Sequence, residues 1–193
     1  GEHIRSWGTF GSGDSQFNQP VDIAMGNNTV VVADFGNNRV QRFTSTGFFL
    51  QKFGRLGTGQ GEFDGPRGIA LDAQRNIYVA DSNNDRIQVF DSGGVFVRAF
   101  GQSGAGPGAL NGPAGLDVDE NGTIYVADRL NDRIQIFTNT GDFVRTIGRF
   151  GTAVGQFDQP GGVAVNANGG RLTIADTEND RIQQVNLFRN SDN

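Results

Sequence analysis

The chain contains no cysteine, one lysine (Lys52), one histidine (His3), one methionine, one tryptophan and five prolines among 193 residues. Zero cysteine excludes disulfides, thiolate metal sites and a cysteine nucleophile. One histidine excludes the several nitrogen ligands that catalytic zinc generally wants, and no Gly-x-Ser-x-Gly elbow supplies a serine nucleophile. No apolar run approaches the roughly 18 residues of a membrane span, so membrane insertion is not expected, and no signal-peptide pattern opens the chain. The net charge is −5, which opposes the clustered basic footprint that nucleic acid requires.

What the chain does have is glycine and phenylalanine, 30 and 16 residues respectively. That pairing, without long apolar runs, fits short strands joined by tight turns. Apart from Lys52, every one of the 16 basic residues is arginine, the better partner for fixed, planar, bidentate pairing.

Self-similarity organises the sequence. Four segments align: VVVADFGNNRVQRF, IYVADSNNDRIQVF, IYVADRLNDRIQIF and LTIADTENDRIQQV. Their aspartates, Asp34, Asp81, Asp128 and Asp176, are spaced 47, 47 and 48 apart, and their arginines, Arg39, Arg86, Arg133 and Arg181, keep the same intervals. A proline opens each unit, at Pro20, Pro66, Pro113 and Pro160. The second unit reads as four strands, over 68–72, 77–81, 86–91 and 95–101, with Asn, Asp, Gly and Ser in the gaps as hairpin turns require. No period of 3.6 competes with this reading. Four antiparallel strands recurring every 40 to 50 residues is the signature of propeller blades. The expected fold is therefore an all-β propeller in one domain, 1–193, with blade repeats at about 9–53, 54–100, 101–147 and 148–188. Ile69, Leu71, Ile77, Val79, Ile87 and Val89 are the expected core of that unit, with Phe90 and Phe100 filling between blades.

The proline-led first strand, the run ending in Ala-Asp and the Asn-Asp-Arg-Ile-Gln that follows resemble the NHL repeat over nearly the whole chain. The resemblance implies a propeller used for molecular recognition: protein or RNA binding in TRIM-type proteins, extracellular sensing in some bacterial kinases. Related propellers include the amidating lyase of peptide maturation and sugar lactonases. NHL propellers commonly have six blades. Four blades leave three arrangements open: a closed four-bladed ring, part of a larger ring, or combination with another chain.

The opening GEHIRSWG matches the fourth-strand segment GDFVRTIG at 141–148, whereas the last unit stops after its third strand near Phe188. Residues 1–8 are therefore expected to close the last blade, 2–7 pairing with 181–188. Within one chain this closes a ring; between chains it links subunits. The first is favoured because it needs no partner. The tail at 189–193 is polar and expected to fray.

The repeated Asp and Arg read first as structure. A five-residue offset across a tight turn brings carboxylate and guanidinium together, with Asn37, Asn84, Asn131 and Asn179 bonding backbone. A single active site would break the fourfold use. His3 alone cannot rebuild the amidating lyase's zinc site, and the acidic residues that a lactonase-like Ca²⁺ site needs fall mostly in turns, so no cofactor is expected. The Gly-rich stretches lack the P-loop lysine and recur as blade crossings. Arg55, Arg67, Arg129 and Arg149 near these turns are countered by Asp14, Glu62, Asp64, Asp132, Asp158, Glu178 and Asp180, a mixed face that suits protein or glycan better than phosphate. Variation concentrates there too. Ala-Asp is followed by Phe35, Ser82, Arg129 or Thr177, and the proline by Val21, Arg67, Ala114 or Gly161. Phe35, Arg67, Ser82, Arg129 and Thr177 are thus the candidate binding face of a non-enzymatic scaffold. A self-assembling structural subunit is the alternative, a lactonase-like or lyase-like enzyme the weaker third. Composition suits an extracellular or cell-surface setting and equally a soluble piece cut from a larger protein; the acceptor triplets at Asn27-Asn28-Thr29 and Asn121-Gly122-Thr123 add to the first.

Overall fold

A computed structural model describes residues 1–187. After a short parallel pair, β1 (Thr9–Phe10) and β2 (Gln16–Phe17), the first blade comprises β3 (Pro20–Gly26), β4 (Thr29–Asp34), β5 (Arg39–Thr44) and β6 (Phe49–Phe53). The second comprises β7 (Pro66–Leu71), β8 (Ile77–Asp81), β9 (Arg86–Phe90) and β10 (Phe96–Phe100). The third comprises β11 (Pro113–Val118), β12 (Ile124–Asp128), β13 (Arg133–Phe137) and β14 (Phe143–Ile147). The fourth has three strands among the described residues: β15 (Gly162–Val165), β16 (Arg171–Asp176) and β17 (Arg181–Asn186). Each sheet is an antiparallel meander in chain order, and together they form a four-bladed β-propeller.

Burial follows strand position. The second strand of a blade is covered on both faces, so IYVAD is apolar without alternation and wholly buried at 77–81 and 124–128. The outermost strand alternates, as β10 (FVRAF) does, because only its inward face is covered. A three-residue 3₁₀ turn joins second to third strand in each blade and ends on Asn38, Asp85, Asp132 or Asp180 in the left-handed region, φ 52°, 53°, 54° and 51°. Asn and Asp tolerate that conformation best among residues with a side chain.

The core lies between blades. Val31, Ala33 and Val40 of the first blade pack on Ile69, Ile77, Val79 and Phe90 of the second. Tyr78, Ala80, Ile87 and Val89 pack in turn on Leu116, Ile124, Val126 and Phe137 of the third. Tyr125, Ala127, Ile134 and Ile136 repeat the arrangement against Leu172 and Ile174. The expected core residues of the second blade sit here, with Leu71 and Phe100 half-buried at its margin. Successive innermost strands β3, β7, β11 and β15 neighbour one another, and no comparable contact joins β15 to β3.

The expected closure of the last blade by 2–7 is corrected by the structure. Residues 1–8 form no strand, and nothing pairs with the outer side of β17 among the described residues. The segment lies instead against the first blade. The Arg5 guanidinium donates to the Thr46 carbonyl, and the Trp7 ring sits 6.1 Å from that of Phe43. The physical reason is that an outer strand has two kinds of neighbour: the strand it bonds within its own sheet and the blade it packs upon. Trp7 has the second without the first. Phe188 and the tail at 189–193 lie outside the described residues.

The crossing-loop face as candidate functional site

All fourth-to-first-strand crossings and all second-to-third-strand turns lie at one end of the blades. The repeated polar residues fasten them. Arg39, Arg86, Arg133 and Arg181 donate Nε to Asp34, Asp81, Asp128 and Asp176 at 2.7, 2.8, 2.6 and 2.7 Å. Every one of these carboxylates is fully buried. The remaining guanidinium nitrogens reach the crossing loop: in the second blade, Arg86 donates to the carbonyls of Thr58, Gly59 and Glu62 at 2.7, 2.7 and 2.9 Å. Asn84 donates to Asp81 and to the Gly57 carbonyl. Asp81 Oδ1 also accepts the Asp64 N–H at 2.7 Å.

One participant escaped the sequence reading. Gln41, Gln88, Gln135 and Gln183 are buried, donate Nε2 to the carboxylate and to a crossing-loop carbonyl, and accept a loop N–H on Oε1. The signal was visible as the invariant Gln two residues after each Arg within the four segments. Asp, Asn, Arg and Gln thus clamp a glycine-rich loop that otherwise anchors itself on one buried side chain, Phe63, Leu110 or Phe157 in the second to fourth units.

The five candidate contact residues do not behave alike. The Arg67 guanidinium stands 4.9 Å over the Phe35 ring, from second blade to first. Ser82 is buried and donates its hydroxyl to the Pro113 carbonyl, so it holds the third blade and is corrected out of the accessible face. Arg129 donates to Gln159 Oε1 at 2.6 Å, from third blade to fourth. Thr177 is exposed, and no further blade follows it among the described residues. The position after Ala-Asp is therefore a stitch between blades wherever a next blade exists.

The exposed features lie further out on the same loops. Phe10, Leu56 and Phe150 occupy one repeat position and are 85%, 65% and 66% exposed, with Leu130 and Val154 exposed beside the same crossings. The third unit places Ser103 there. Arg55 and Arg149 immediately precede two of them, and Arg55 pairs with Glu62 at 2.8 Å. Strand alternation does not mark these residues; they recur only at the repeat interval, which Ser103 interrupts.

Four carboxylates depart from the ordinary range; one of them, Glu62, is held below it by the Gly59 N–H and then by Arg55. Burial raises Asp22 and Asp117 above the ordinary range, although each accepts an N–H from the next blade, Ile69 and Val165, at 2.9 and 2.8 Å. Burial also acts to raise Asp176, but bonds from the Asp158 N–H, Arg181, Asn179 and Gln183 outweigh it and hold this carboxyl below the ordinary range. The signs oppose. A raised folded value penalises the charged fold at neutral pH and releases the penalty as pH falls through that value; a depressed one contributes stability that is lost as pH falls below about 4. Net charge also approaches zero near the sequence pI of about 4.8. The urea midpoint should therefore rise modestly from pH 7 to about 5 and fall steeply below about 4. A midpoint that declines steadily from pH 7 downward contradicts this balance.

The opposite end carries a polar hollow of about 360 Å³ between second and third blades, lined by Asp72, Asn76, Tyr78, Arg98, Glu120 and Asn121. Tyr78 donates to Asp72 at 3.1 Å, and Arg98 donates to the Asn139 carbonyl. The equivalent Tyr125 donates to Asp119; burial, then the Asp119 charge, pushes its phenol up to about 12. Among the described residues, no three His, Cys, Asp or Glu side chains gather as a metal site, and no helix is long and apolar enough to cross a membrane.

The sequence pattern of the NHL repeat matches residues 17–43, 63–90, 110–137 and 157–185. No curated protein matches the chain. Among solved structures, a chain of a nidogen/laminin complex is 24% identical with a TM-score of 0.68, covering 86% of this chain and 60% of that one. Hydrazine synthase of Kuenenia stuttgartiensis is 16% identical with a TM-score of 0.63, over 86% of this chain and 45% of that one. Virginiamycin B lyase from Staphylococcus aureus is 17% identical with a TM-score of 0.58, over 89% and 57%. At these identities the likeness is one of fold, and the chain spans between 45% and 60% of the length of the structures it matches.

Proposed function

The chain belongs to the NHL-repeat family, and on that premise we propose that it is a non-enzymatic scaffold that binds a protein partner through its crossing-loop face. The observation that carries this reading is the set of exposed Phe10, Leu56 and Phe150 on loops that the buried clamps hold in place. Exposed apolar residues rimmed by polar ones mark interaction sites, and aromatic and arginine side chains dominate binding energy at interfaces. A rigid loop spends little ordering entropy on association. The likeness to a chain of a nidogen/laminin complex supports a protein as ligand. Apolar contacts favour protein over glycan, and the balance of charge disfavours RNA. The fold also occurs in a lyase, but here the single histidine, His3, is exposed and bonds only Ser6 among the described residues. Composition keeps the proposed setting extracellular or cell-surface.

Peptides selected from a display library against the wild-type chain test the reading. Against a Phe10→Ser, Leu56→Ser, Phe150→Ser variant with an unchanged melting temperature, their affinity should fall at least about tenfold. Equal affinity for both proteins would place the binding surface elsewhere.

A further inference from the structure

The junction between the first and second blades departs from the repeat at two positions, and both departures are to arginine. On the third strand, Val89 of the second blade and Ile136 of the third stand at one repeat position, and both are buried in the core between blades. The first blade places Arg42 there. Alternation along β5 puts Arg42 on the same side as Val40, which packs against the second blade. The other departure is in the turn from innermost to second strand. In the third and fourth blades the residue whose N–H closes this turn on the carbonyl three places earlier is Gly122 or Gly169, φ 81° and 70°. The second blade closes it with Arg75, at φ 68°. That conformation is uncommon for a residue with a side chain, and such exceptions cluster at ligand clamps and other working sites.

Both arginines line one small cleft between these blades, together with Thr29, Ser92, Leu71 and Ile77. The cleft is about 10 Å³, room for a single particle the size of a water molecule or a halide ion. Among the described residues neither guanidinium enters an ion pair or a hydrogen bond, and the Thr29 and Ser92 hydroxyls have no partner either. Arg42 Nε is shielded from solvent without an acceptor. Burial pushes this guanidinium below its usual range; the Asp91 charge acts against that, and the Arg75 charge adds to it. Asp91 makes no bond to Arg42, and its Oδ1 is taken by the Gly93 and Val95 N–H groups at 2.8 and 2.9 Å. Arg98 Nε also lacks an acceptor, but that guanidinium donates to the Asn139 carbonyl and lies over the Tyr78 ring at 5.9 Å. Arg42 has no such compensation. Two like charges beside one desolvated cleft are unfavourable unless negative charge lies between them.

We propose that this cleft binds one small inorganic anion, of the size of chloride, between the guanidinium groups of Arg42 and Arg75, with the Thr29 and Ser92 hydroxyls as further donors. Hydrogen bonds from a guanidinium to an anion are the strong, charge-assisted kind. The size of the cleft excludes a whole sulfate or phosphate. Arg42 belongs to the first blade and Arg75 to the second, so the ion ties one blade to the next. The junctions that carry Val89 and Ile136 at this position hold together by apolar packing instead. The cleft lies at the end of the blades opposite the crossing loops, so the site stands or falls apart from the binding proposed above.

Melting at constant ionic strength reads the ion directly. Sodium gluconate, whose anion is too large to enter the cleft whole, is exchanged for sodium chloride. At about 200 mM chloride the melting temperature of the wild-type chain should rise by at least about 3 °C, as with any ligand that binds only the folded state. Arg42→Val installs the residue of the second blade. In gluconate it should melt no more than about 2 °C below the wild type, because an apolar residue replaces an unpaired charge, and it should lose the response to chloride. Arg75→Gly installs the residue of the third blade and gives an independent reading; it too should lose the response. Sodium bromide soaked into crystals of the wild-type chain should give an anomalous peak between Arg42 and Arg75. No chloride response in the wild type, an undiminished response in either variant, or no bromide in this cleft would each overturn the proposal.

Discussion

Replacing Asp81 with alanine should lower the stability of the chain by about 3–5 kcal/mol, the cost of breaking a buried ion pair from one side. The carboxylate has no solvent exposure and accepts bonds from Arg86, Asn84, Gln88 and the Asp64 N–H. Its removal leaves a guanidinium, an amide pair and a main-chain donor without their acceptor. Arg86 keeps three loop carbonyls, but these carry no charge to balance its own. For a chain of this length the melting temperature should fall by about 10 °C. Arg86→Lys provides a graded comparison. It retains the charge and loses the planar fork that binds carboxylate and loop together, so it should fall between wild type and Asp81→Ala. Because repeat units are coupled mainly to their neighbours, amide exchange should accelerate first over 57–65, the loop this clamp holds. Asp81→Ala melting with the wild-type protein would mean the pair contributes nothing net.

Much of this architecture was legible because repetition converts one ambiguous pattern into four aligned ones. The intervals between Asp34, Asp81, Asp128 and Asp176 located every second strand to within a residue or two. Turn residues bounded the rest. The partners of the repeated polar residues were only half legible. A five-residue offset announces that Asp81 meets Arg86, but the destinations of the other guanidinium nitrogens lie 24 to 28 residues earlier in the chain, on carbonyls that no side chain identifies. Gln88 was passed over for the same reason: its amide serves backbone groups of the loop. Ser82 looked like a variable contact residue because sequence variation does not distinguish a changing ligand surface from a changing stitch between blades. The placement of residues 1–8 failed differently. Their likeness to 141–148 is one of outer-strand sequence. It leaves undetermined whether the strand they belong beside is supplied by the same chain, and the structure packs them on the first blade alone.

The second large effect concerns the innermost strands. Gly68→Ala should destabilise the protein by about 3 kcal/mol, at the upper end of what overpacking a core costs. No conformational demand is involved, since the backbone there is not left-handed; the demand is for space. The added methyl would overlap the Ala114 carbonyl oxygen and stand 3.0 Å from both Gly115 Cα and Leu116 N. All three are backbone atoms of β11, so no rotamer change can relieve the overlap. The strands must part, and with them Ala70 from Leu116 in the core between second and third blades. Gly162→Ala supplies the control, because the same residue in the same repeat position meets only the Ala175 side chain, at 3.6 Å. In dilute solution it should leave the melting temperature within about 1–2 °C of wild type, as surface substitutions generally do. Similar losses from the two substitutions would show that the cost arises from alanine in the strand itself. A loss confined to Gly68 would show that glycine here serves the close approach of successive blades.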